Sequence, residues 1–210
     1  MKKFELTTEF ITNAFGKKLF RIKALVEFGD VKAGELGGYV EKEGNVSQAD
    51  NAWVYGDARV YGDARVYGDA WVYGDARVYG DARVSGNARV YGNARVRGDA
   101  RVSGDARVSG DARVSGNAWV SGNARVYGDA RVYGDADYAL VQGFGTEFRC
   151  TTFYRGKNKK IMVNCGCFHG DLEGFRKQVK ETRNGKIAKE YLMIADLMEY
   201  HFTSEDSSNE

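Results

Sequence analysis

One six-residue pattern, Val-x-Gly-Asp/Asn-Ala-x, fills residues 54–137 in fourteen uninterrupted copies and dominates the sequence. In each copy, Ala-Arg-Val-Tyr is typical of a short β-strand, with Ala and Val on one face and Arg and Tyr on the other. The Gly-Asp pair that follows predicts a corner, because glycine accepts a positive φ and Asp or Asn tolerates it better than most residues. A strand and a corner every six residues predict a polygonal coil around a core of valine and alanine.

The repeat also predicts how the coils stack. Three sides per turn would give a coil of about 18 residues, so the array would make between four and five coils spaced by roughly 4.8 Å. No coil buries its core alone, so the array needs neighbours and capped ends. We therefore predict an N-terminal cap at 1–45, a parallel β-helix at 46–139 and a small C-terminal α+β domain at 140–210, with a disordered polar tail from about 204.

The pattern resembles the hexapeptide-repeat family of left-handed β-helices, whose signature is an aliphatic residue, a small residue four positions later and a nearby glycine. The resemblance implies a mainly β, three-sided, left-handed fold, whereas the general rule for parallel crossovers favours the right hand. The flanks are similar to those of hexapeptide proteins from phages, prophages and gut bacteria. Residues 28–31 and 34–47 resemble their cap, and residues 165–168 and 188–192 resemble their C-terminal domain. This likeness implies action on a host factor, by binding a protein or by sequestering a nucleotide.

Outward-facing arginines and tyrosines form the first candidate site, because residues 18 apart would share one face of the array. The candidate binding residues on this face are Arg59, Arg77, Arg95, Arg113, Arg131, Tyr61 and Tyr79. Guanidinium groups bind phosphate and tyrosine rings stack on bases, so the column is a candidate anion or nucleotide surface. The alternative is a solvated surface on which corner aspartates balance the arginines, each exposed pair adding only ~0–1 kcal/mol.

A second face collects aromatic side chains and forms a candidate interaction patch. Its members are Trp53, Trp71, Tyr55, Tyr73 and Tyr91. A flat face with clustered aromatics is typical of a self-association or partner surface. We therefore expect a homo-oligomer, with a host protein or a nucleotide as the further partner.

Two strand patterns, at 147–154 and 160–167, predict a β-hairpin in the C-terminal domain. Pairing Arg155 with Lys160 would place Cys150 opposite Cys165. One face of the hairpin would then carry Phe148, Cys150, Thr152, Tyr154, Ile161, Val163, Cys165 and Cys167.

Two helices are predicted near 171–183 and 186–200, the second from apolar residues at helical spacing. The residues available for a metal site are Cys150, Cys165, Cys167 and His169. Their C-x-C-x-H spacing is unlike a zinc knuckle, and no third group orients Cys167 and His169 as a catalytic pair. We expect the cysteines to pack as small apolar residues and expect neither a metal nor a cofactor.

Composition and sequence features narrow the location and the function class. A net charge of +2 favours neither a nucleic-acid binder nor an acidic tail protein. The N-terminus lacks an apolar signal region and no stretch is long enough to span a membrane, while three cysteines suit a reduced compartment. These features predict a cytoplasmic protein, in the host cell if it is phage-encoded.

Three function classes fit the fold. The largest known class with this helix is acyltransferases that use a histidine as general base, but residues 46–137 contain no histidine and no inserted loop. The only histidines in the chain are His169 and His201. We therefore favour a non-enzymatic binding or scaffold protein. An acyltransferase and a self-assembling structural protein stay as alternatives, the latter opposed by non-repetitive ends that would block edge pairing.

Overall fold

The computed structural model describes residues 2–203, apart from the side chain at position 135, so the predicted disordered tail lies outside the described residues. The N-terminal strands are β1 Phe4–Thr12, β2 Lys18–Ala24 and β3 Leu36–Val40. The strands of the repeat array are β4 Trp53–Val54, β5 Arg59–Gly62, β6 Arg65–Val66, β7 Trp71–Val72, β8 Arg77–Gly80, β9 Arg83–Val84, β10 Arg89–Val90, β11 Arg95–Val96, β12 Arg101–Val102, β13 Arg107–Val108, β14 Arg113–Val114, β15 Trp119–Val120, β16 Arg125–Val126 and β17 Arg131–Val132. The C-terminal elements are β18 Tyr138–Phe144, β19 Arg149–Arg155, β20 Ile161–Cys165, β21 Phe168–Asp171, α1 Leu172–Thr182 and α2 Gly185–Thr203.

The array folds as a β-solenoid of stacked parallel strands, which confirms the mainly β repeat architecture. Strands separated by one coil pair in register, as in Arg59 with Arg77 and Val60 with Val78. One sheet contains β5, β8, β11, β14 and β17, a second contains β4, β7, β10, β13 and β16, and a third contains β6, β9, β12 and β15. Each predicted column of outward side chains therefore lies on one sheet.

Valine and alanine fill the inside of the solenoid. Every array valine from Val54 to Val132 and every array alanine from Ala58 to Ala130 is essentially inaccessible to solvent. Each buried valine contributes about 1.5–3 kcal/mol before its lost entropy is counted. The core is therefore one continuous column rather than a set of separate clusters.

Glycine is required at the corners because successive corners stack closely. Gly86 has φ +65°, and a Cβ placed there would lie 2.9 Å from the backbone nitrogen of Gly104 in the next coil. A larger residue would meet both the left-handed backbone penalty and a steric clash.

The N-terminal strands close the first end of the solenoid. Strand β3 pairs in parallel with β5, so the cap extends the first sheet of the array. The ammonium of Lys3 donates hydrogen bonds to the carbonyl oxygens of Asp50 (2.7 Å) and Ala52 (2.8 Å). Asn45 Nδ2 donates to the carbonyl oxygens of Gly62 (3.0 Å) and Ala64 (2.9 Å) in the same way. These side chains satisfy carbonyls that a preceding coil would otherwise have paired.

The C-terminal strands form an antiparallel sheet, β18-β19-β20-β21, between the last coil and the helices. The predicted hairpin forms, but its register was wrong by one residue. Thr151, not Cys150, lies opposite Cys165, because Gly156 N–H bonds to the Lys160 carbonyl (2.8 Å) and the loop is one residue longer than expected. A shift of one residue exchanges the faces of a strand, so Tyr154 packs on the solenoid core while Phe153 packs under the helices.

Both helices lie close to their predicted positions. Helix α1 begins at an N-cap, Asp171, whose carboxylate accepts a hydrogen bond from Gly174 N–H (2.9 Å). Helix α2 buries a stripe made of Tyr191, Ile194, Ala195, Met198 and Phe202. Neither helix in residues 2–203 has the length and apolar character needed to cross a lipid bilayer.

Candidate functional site

The hairpin β1–β2 reaches over the first arginine column and encloses a cavity of about 350 Å³ with it. The hairpin tip supplies Asn13, Ala14 and Phe15. The solenoid supplies Arg59, Arg77, Arg95, Tyr61 and Tyr79. We call this cavity the arginine cradle. It is built from five of the residues that the sequence predicted for binding, joined by a non-repetitive loop.

The arginines of the cradle are held in a column by strand register. Arg59 pairs with Arg77, and Arg77 pairs with Arg95, on neighbouring strands of one sheet. Within the described part of the chain, none of the three forms an ion pair with a carboxylate within 4.0 Å. The corner aspartates therefore do not neutralise the column by direct contact, and three like charges extend from neighbouring strands that lie about 4.8 Å apart.

The tyrosines of the cradle stack on one another beside the arginines. The rings of Tyr61 and Tyr79 stack with centroids 4.9 Å apart and planes inclined by 5°. Burial raises the pKa of Tyr61, while the positive charges of Arg77 and Arg95 oppose that rise. The phenol therefore stays neutral at physiological pH and adds no negative charge to the cavity.

Asn13 carries a hydrogen-bond donor that has no partner among the described residues. Its Oδ1 accepts from the backbone N–H groups of Phe15 (2.9 Å) and Lys17 (3.0 Å), which fixes the orientation of the amide. Its Nδ2 is then buried without a hydrogen-bond partner in the described residues. Because this nitrogen has almost no solvent-accessible surface, it is covered by the protein itself and does not face the cavity, so Asn13 lines the cradle with its other atoms.

Asn13 and Phe15 were missed by sequence reasoning. They lie in a turn with no periodicity to place it against the array. The signal available was Asn13-Ala-Phe-Gly16, whose Asn and Gly are typical of a tight turn. That signal predicts a turn but does not predict which face of the array the turn covers.

The predicted column continues beyond the cradle. Arg95 pairs with Arg113, and Arg113 pairs with Arg131, so all five predicted arginines share one sheet. Arg113 and Arg131 do not line the cavity. Arg131 is half-buried, and its Nη1 has no hydrogen-bond partner in the described residues.

The predicted aromatic patch is only partly on the surface, and its first member was misplaced. Trp53 is fully buried, because the cap covers it with Phe4 (ring centroids 5.8 Å apart) and Phe28 (5.3 Å). The other members are half-buried: Trp71, Tyr55, Tyr73 and Tyr91. Tyr73 and Tyr91 stack with centroids 4.8 Å apart, so the patch is an ordered strip with limited apolar exposure.

The cysteine and histidine candidates make separate local contacts. Cys165 Sγ accepts from Thr151 Oγ1 (3.1 Å), and Cys150 Sγ donates to the Asn123 carbonyl (3.5 Å). His169 Nε2 lies 3.1 Å from Tyr154 Oη, against the last coil. Within the described residues, no group of three or more His, Cys, Asp or Glu is placed to hold a metal ion.

The fold and the stacked columns define a repeat protein of the β-solenoid class. The matching family description is the YdcK beta solenoid repeat, found at residues 58–74, 70–86, 76–92, 88–104, 100–116, 106–122 and 124–136. The chain is similar to that family in its array, and the matches support a repeat β-solenoid assignment. No curated protein matches the chain.

Proposed function

We propose that this protein is a non-enzymatic binding protein and that its arginine cradle binds a nucleotide. The observation that carries the proposal is the arginine column, free of ion pairs with described carboxylates, enclosed beside stacked tyrosines under the hairpin tip. Guanidinium groups pair with phosphate oxygens, and flat aromatic rings stack on bases. The cavity volume of about 350 Å³ is within the range of small-molecule sites.

Each wall of the cradle has a role in this proposal. Arg59, Arg77 and Arg95 hold the phosphate groups, and the exposed ring of Phe15 stacks on the base. The concave, donor-lined shape favours a nucleotide over a protein as the ligand of this site.

The alternatives have less support. For acyl transfer, His169 would have to act as a general base, but its Nε2 is engaged by Tyr154 Oη at 3.1 Å and it lies outside the cradle. For end-to-end assembly, the coil edges would have to be open. Lys3 and Asn45 satisfy carbonyls at one end, and the C-terminal sheet covers part of the other.

The resemblances of the sequence extend the proposal. We infer that the solenoid is three-sided, which the three parallel stacks of strands support, and left-handed, as the resemblance to hexapeptide-repeat proteins implies. The likeness of the flanking segments to phage proteins supports a role in the host cytoplasm. There the protein would lower the free concentration of a host nucleotide signal by binding it.

We further propose a homo-oligomer formed by a second copy docking on helix α2. Its outward face carries a stripe of exposed apolar side chains at helical spacing: Met193 (61% exposed), Leu197 (58%) and Tyr200 (72%). Lys186 and Lys189 lie before this stripe and, with Glu190 paired to Lys186 (3.6 Å), leave a net positive charge there, while Asp196 and Glu199 lie beside its second half. Asp196 and Glu199 share one cation, Arg176, so that half keeps a net negative charge. An antiparallel pair of α2 helices would set the basic half of each against the acidic half of the other.

The test of the cradle is isothermal titration calorimetry with ATP, adenosine and inorganic triphosphate as probes. We expect ATP to bind more tightly than either fragment, because it uses the arginines and the aromatic rings together. Arg77→Gln should weaken ATP binding by about 10-fold or more, since a charge-assisted hydrogen bond contributes about 1.5–3 kcal/mol. The matched control is Arg101→Gln, an exposed column arginine on another sheet, which should bind as the unaltered protein does. The proposal fails if none of the probes binds, or if Arg77→Gln and Arg101→Gln weaken binding equally.

The oligomer is tested by light scattering coupled to size-exclusion chromatography. Leu197→Glu places a charge in the centre of the α2 stripe and should yield monomers. Leu36→Glu, at an exposed apolar position of strand β3, is the matched control and should leave the mass unchanged. A monomeric unaltered protein would refute this part of the proposal without affecting the cradle.

A further inference from the structure

A second cavity, of about 480 Å³, lies where the C-terminal sheet meets the solenoid. Arg107 and Arg125 line it from strands β13 and β16, one coil apart in the second sheet. Arg149 lines it from the start of strand β19, and Cys150 and Cys167 complete the same wall. We call this cavity the seam site, because one wall belongs to the solenoid and the other to the C-terminal sheet.

The seam site concentrates positive charge. Its arginines form no ion pair within 4.0 Å in the part of the chain that the structure describes. The acidic residue in the lining is Asp105, whose Oδ1 accepts a hydrogen bond from Asn87 Nδ2 (2.9 Å). Three guanidinium groups and one carboxylate leave a formal charge of +2. Like charges brought together across a joint oppose docking unless an anion lies between them.

The Arg149 side chain passes close to a glycine. Gly166 lies in the turn between β20 and β21 with φ +61°, and a Cβ there would come within 2.5 Å of Arg149 Nη1. A side chain at this position would have to displace the Arg149 guanidinium from its place over the turn. Arg149 thus passes over this turn and lines the same cavity as Arg107 and Arg125.

The thiol beside the arginines adds no negative charge. Burial raises the pKa of Cys150, and the nearby Arg125 only partly offsets that effect. Its Sγ also donates a hydrogen bond to the Asn123 carbonyl (3.5 Å). Cys150 therefore stays a neutral thiol, and nothing on this wall repels an anion.

We propose that the seam site binds a compact dianion, a phosphoryl or dicarboxylate group, and that this ligand strengthens the docking of the C-terminal sheet on the solenoid. The charge of +2 matches a dianion, and guanidinium groups bind both kinds of oxyanion in a bidentate manner. Because one wall comes from each part, the docked form binds the ligand and the undocked form does not. Binding must then stabilise the docked form by mass action. This inference is independent of the arginine cradle.

The seam site contains its own reporter, the exposed thiol of Cys167. The experiment measures the rate at which iodoacetamide alkylates Cys167, followed by peptide mass spectrometry. Inorganic phosphate and malonate are the two probes, and acetate at equal ionic strength is the control for charge screening. At about ten times its Kd, a bound dianion should slow alkylation roughly 10-fold. Protection by phosphate alone, by malonate alone or by both supports the proposal and identifies the group that binds.

Variants separate binding at the seam from general ionic effects. Arg107→Gln, an exposed change on the solenoid, should abolish protection without disturbing the fold of the C-terminal sheet. Arg149→Gln should do the same from the opposite wall. Arg77→Gln in the cradle and Arg101→Gln on the third sheet should keep full protection. The proposal is overturned if acetate protects as well as phosphate and malonate, if neither probe protects, or if Arg107→Gln keeps the protection.

Discussion

The interior of the solenoid and its two ends satisfy the same backbone groups by different means. Inside the array, backbone pairs with backbone, as when Arg77 N–H donates to the Ala94 carbonyl (2.9 Å) and Arg95 N–H donates to the Ala112 carbonyl (2.9 Å). At the last coil, side chains of the C-terminal sheet form the hydrogen bonds that another coil would otherwise form. Arg125 N–H donates to Thr152 Oγ1 (3.0 Å), and the Arg125 carbonyl accepts from Asn164 Nδ2 (2.7 Å).

This difference explains which positions tolerate change. An interior coil needs only valine, alanine and glycine at fixed places, so its outward positions are free to carry Arg, Tyr, Ser or Trp. Each end needs particular side chains with donors and acceptors at defined points, because buried backbone groups must be paired. The outward positions are where a binding site can arise, and the ends are where single residues hold the array closed.

The largest effect is expected at an interior corner. Gly86→Ala forces an alanine to φ +65° and places its Cβ 2.9 Å from Gly104 N. Gly122→Ala is a matched control, because Gly122 has φ +62° but a Cβ added there would meet no atom within 4 Å. We expect the control to lose roughly 1–2 kcal/mol of unfolding free energy from backbone strain alone. Gly86→Ala should lose at least about 3 kcal/mol, because the clash adds to the strain.

Urea denaturation followed by circular dichroism measures both glycine variants. Equal losses at the two glycines would show that coil stacking places no steric demand on the corner. The interior would then be held by its core and backbone ladder alone.

A smaller effect is expected at the C-terminal end. Asn164→Ala leaves the Arg125 carbonyl without its side-chain donor and removes a neighbour of Tyr154 Oη, 3.3 Å away. An unsatisfied buried group costs about 1–3 kcal/mol, and the loss should appear as weaker protection of β19 in hydrogen exchange. Asn87→Ala removes an exposed corner hydrogen bond to Asp105 and should change stability by less than about 0.5 kcal/mol. If Asn164→Ala and Asn87→Ala lower the free energy of unfolding equally, the hydrogen bond from Asn164 to the last coil does not hold the C-terminal end in place.

The same contrast explains what the sequence could and could not predict. The columns of the array were predictable because a strict period assigns every side chain to a sheet and a face. Arg59, Arg77 and Tyr61 were therefore assigned to one face from spacing alone. Asn13 and Phe15 complete the cradle from outside the repeat, where no period determines the position of a turn.

Two errors arose where the period ends. Trp53 has the spacing of an outward residue, but the cap folds over the first coil and buries it. The register of β19 and β20 was open to a shift of one residue because both faces of the hairpin are buried, so hydrophobicity does not distinguish Phe153 from Tyr154. The five-residue loop, with Lys159 at φ +59°, decided the register, and its length is not evident from composition.

A pH dependence is expected at the N-terminal end. Burial lowers the pKa of Lys3 to about 8 although Asp50 lies nearby. Between pH 8 and the ordinary value of 10.5, the unfolded chain keeps a proton that the folded chain has lost. Stability from this group therefore rises with pH across that window, by at most about 1.4 kcal/mol per pH unit. Lys3→Met removes this titrating group and keeps every other one. The free energy of unfolding of the unaltered protein should therefore rise relative to that of Lys3→Met as the pH rises through 8. Parallel pH profiles for the two proteins would mean that Lys3 keeps its charge when buried, and that the carbonyls of Asp50 and Ala52 solvate the ammonium well enough to replace water.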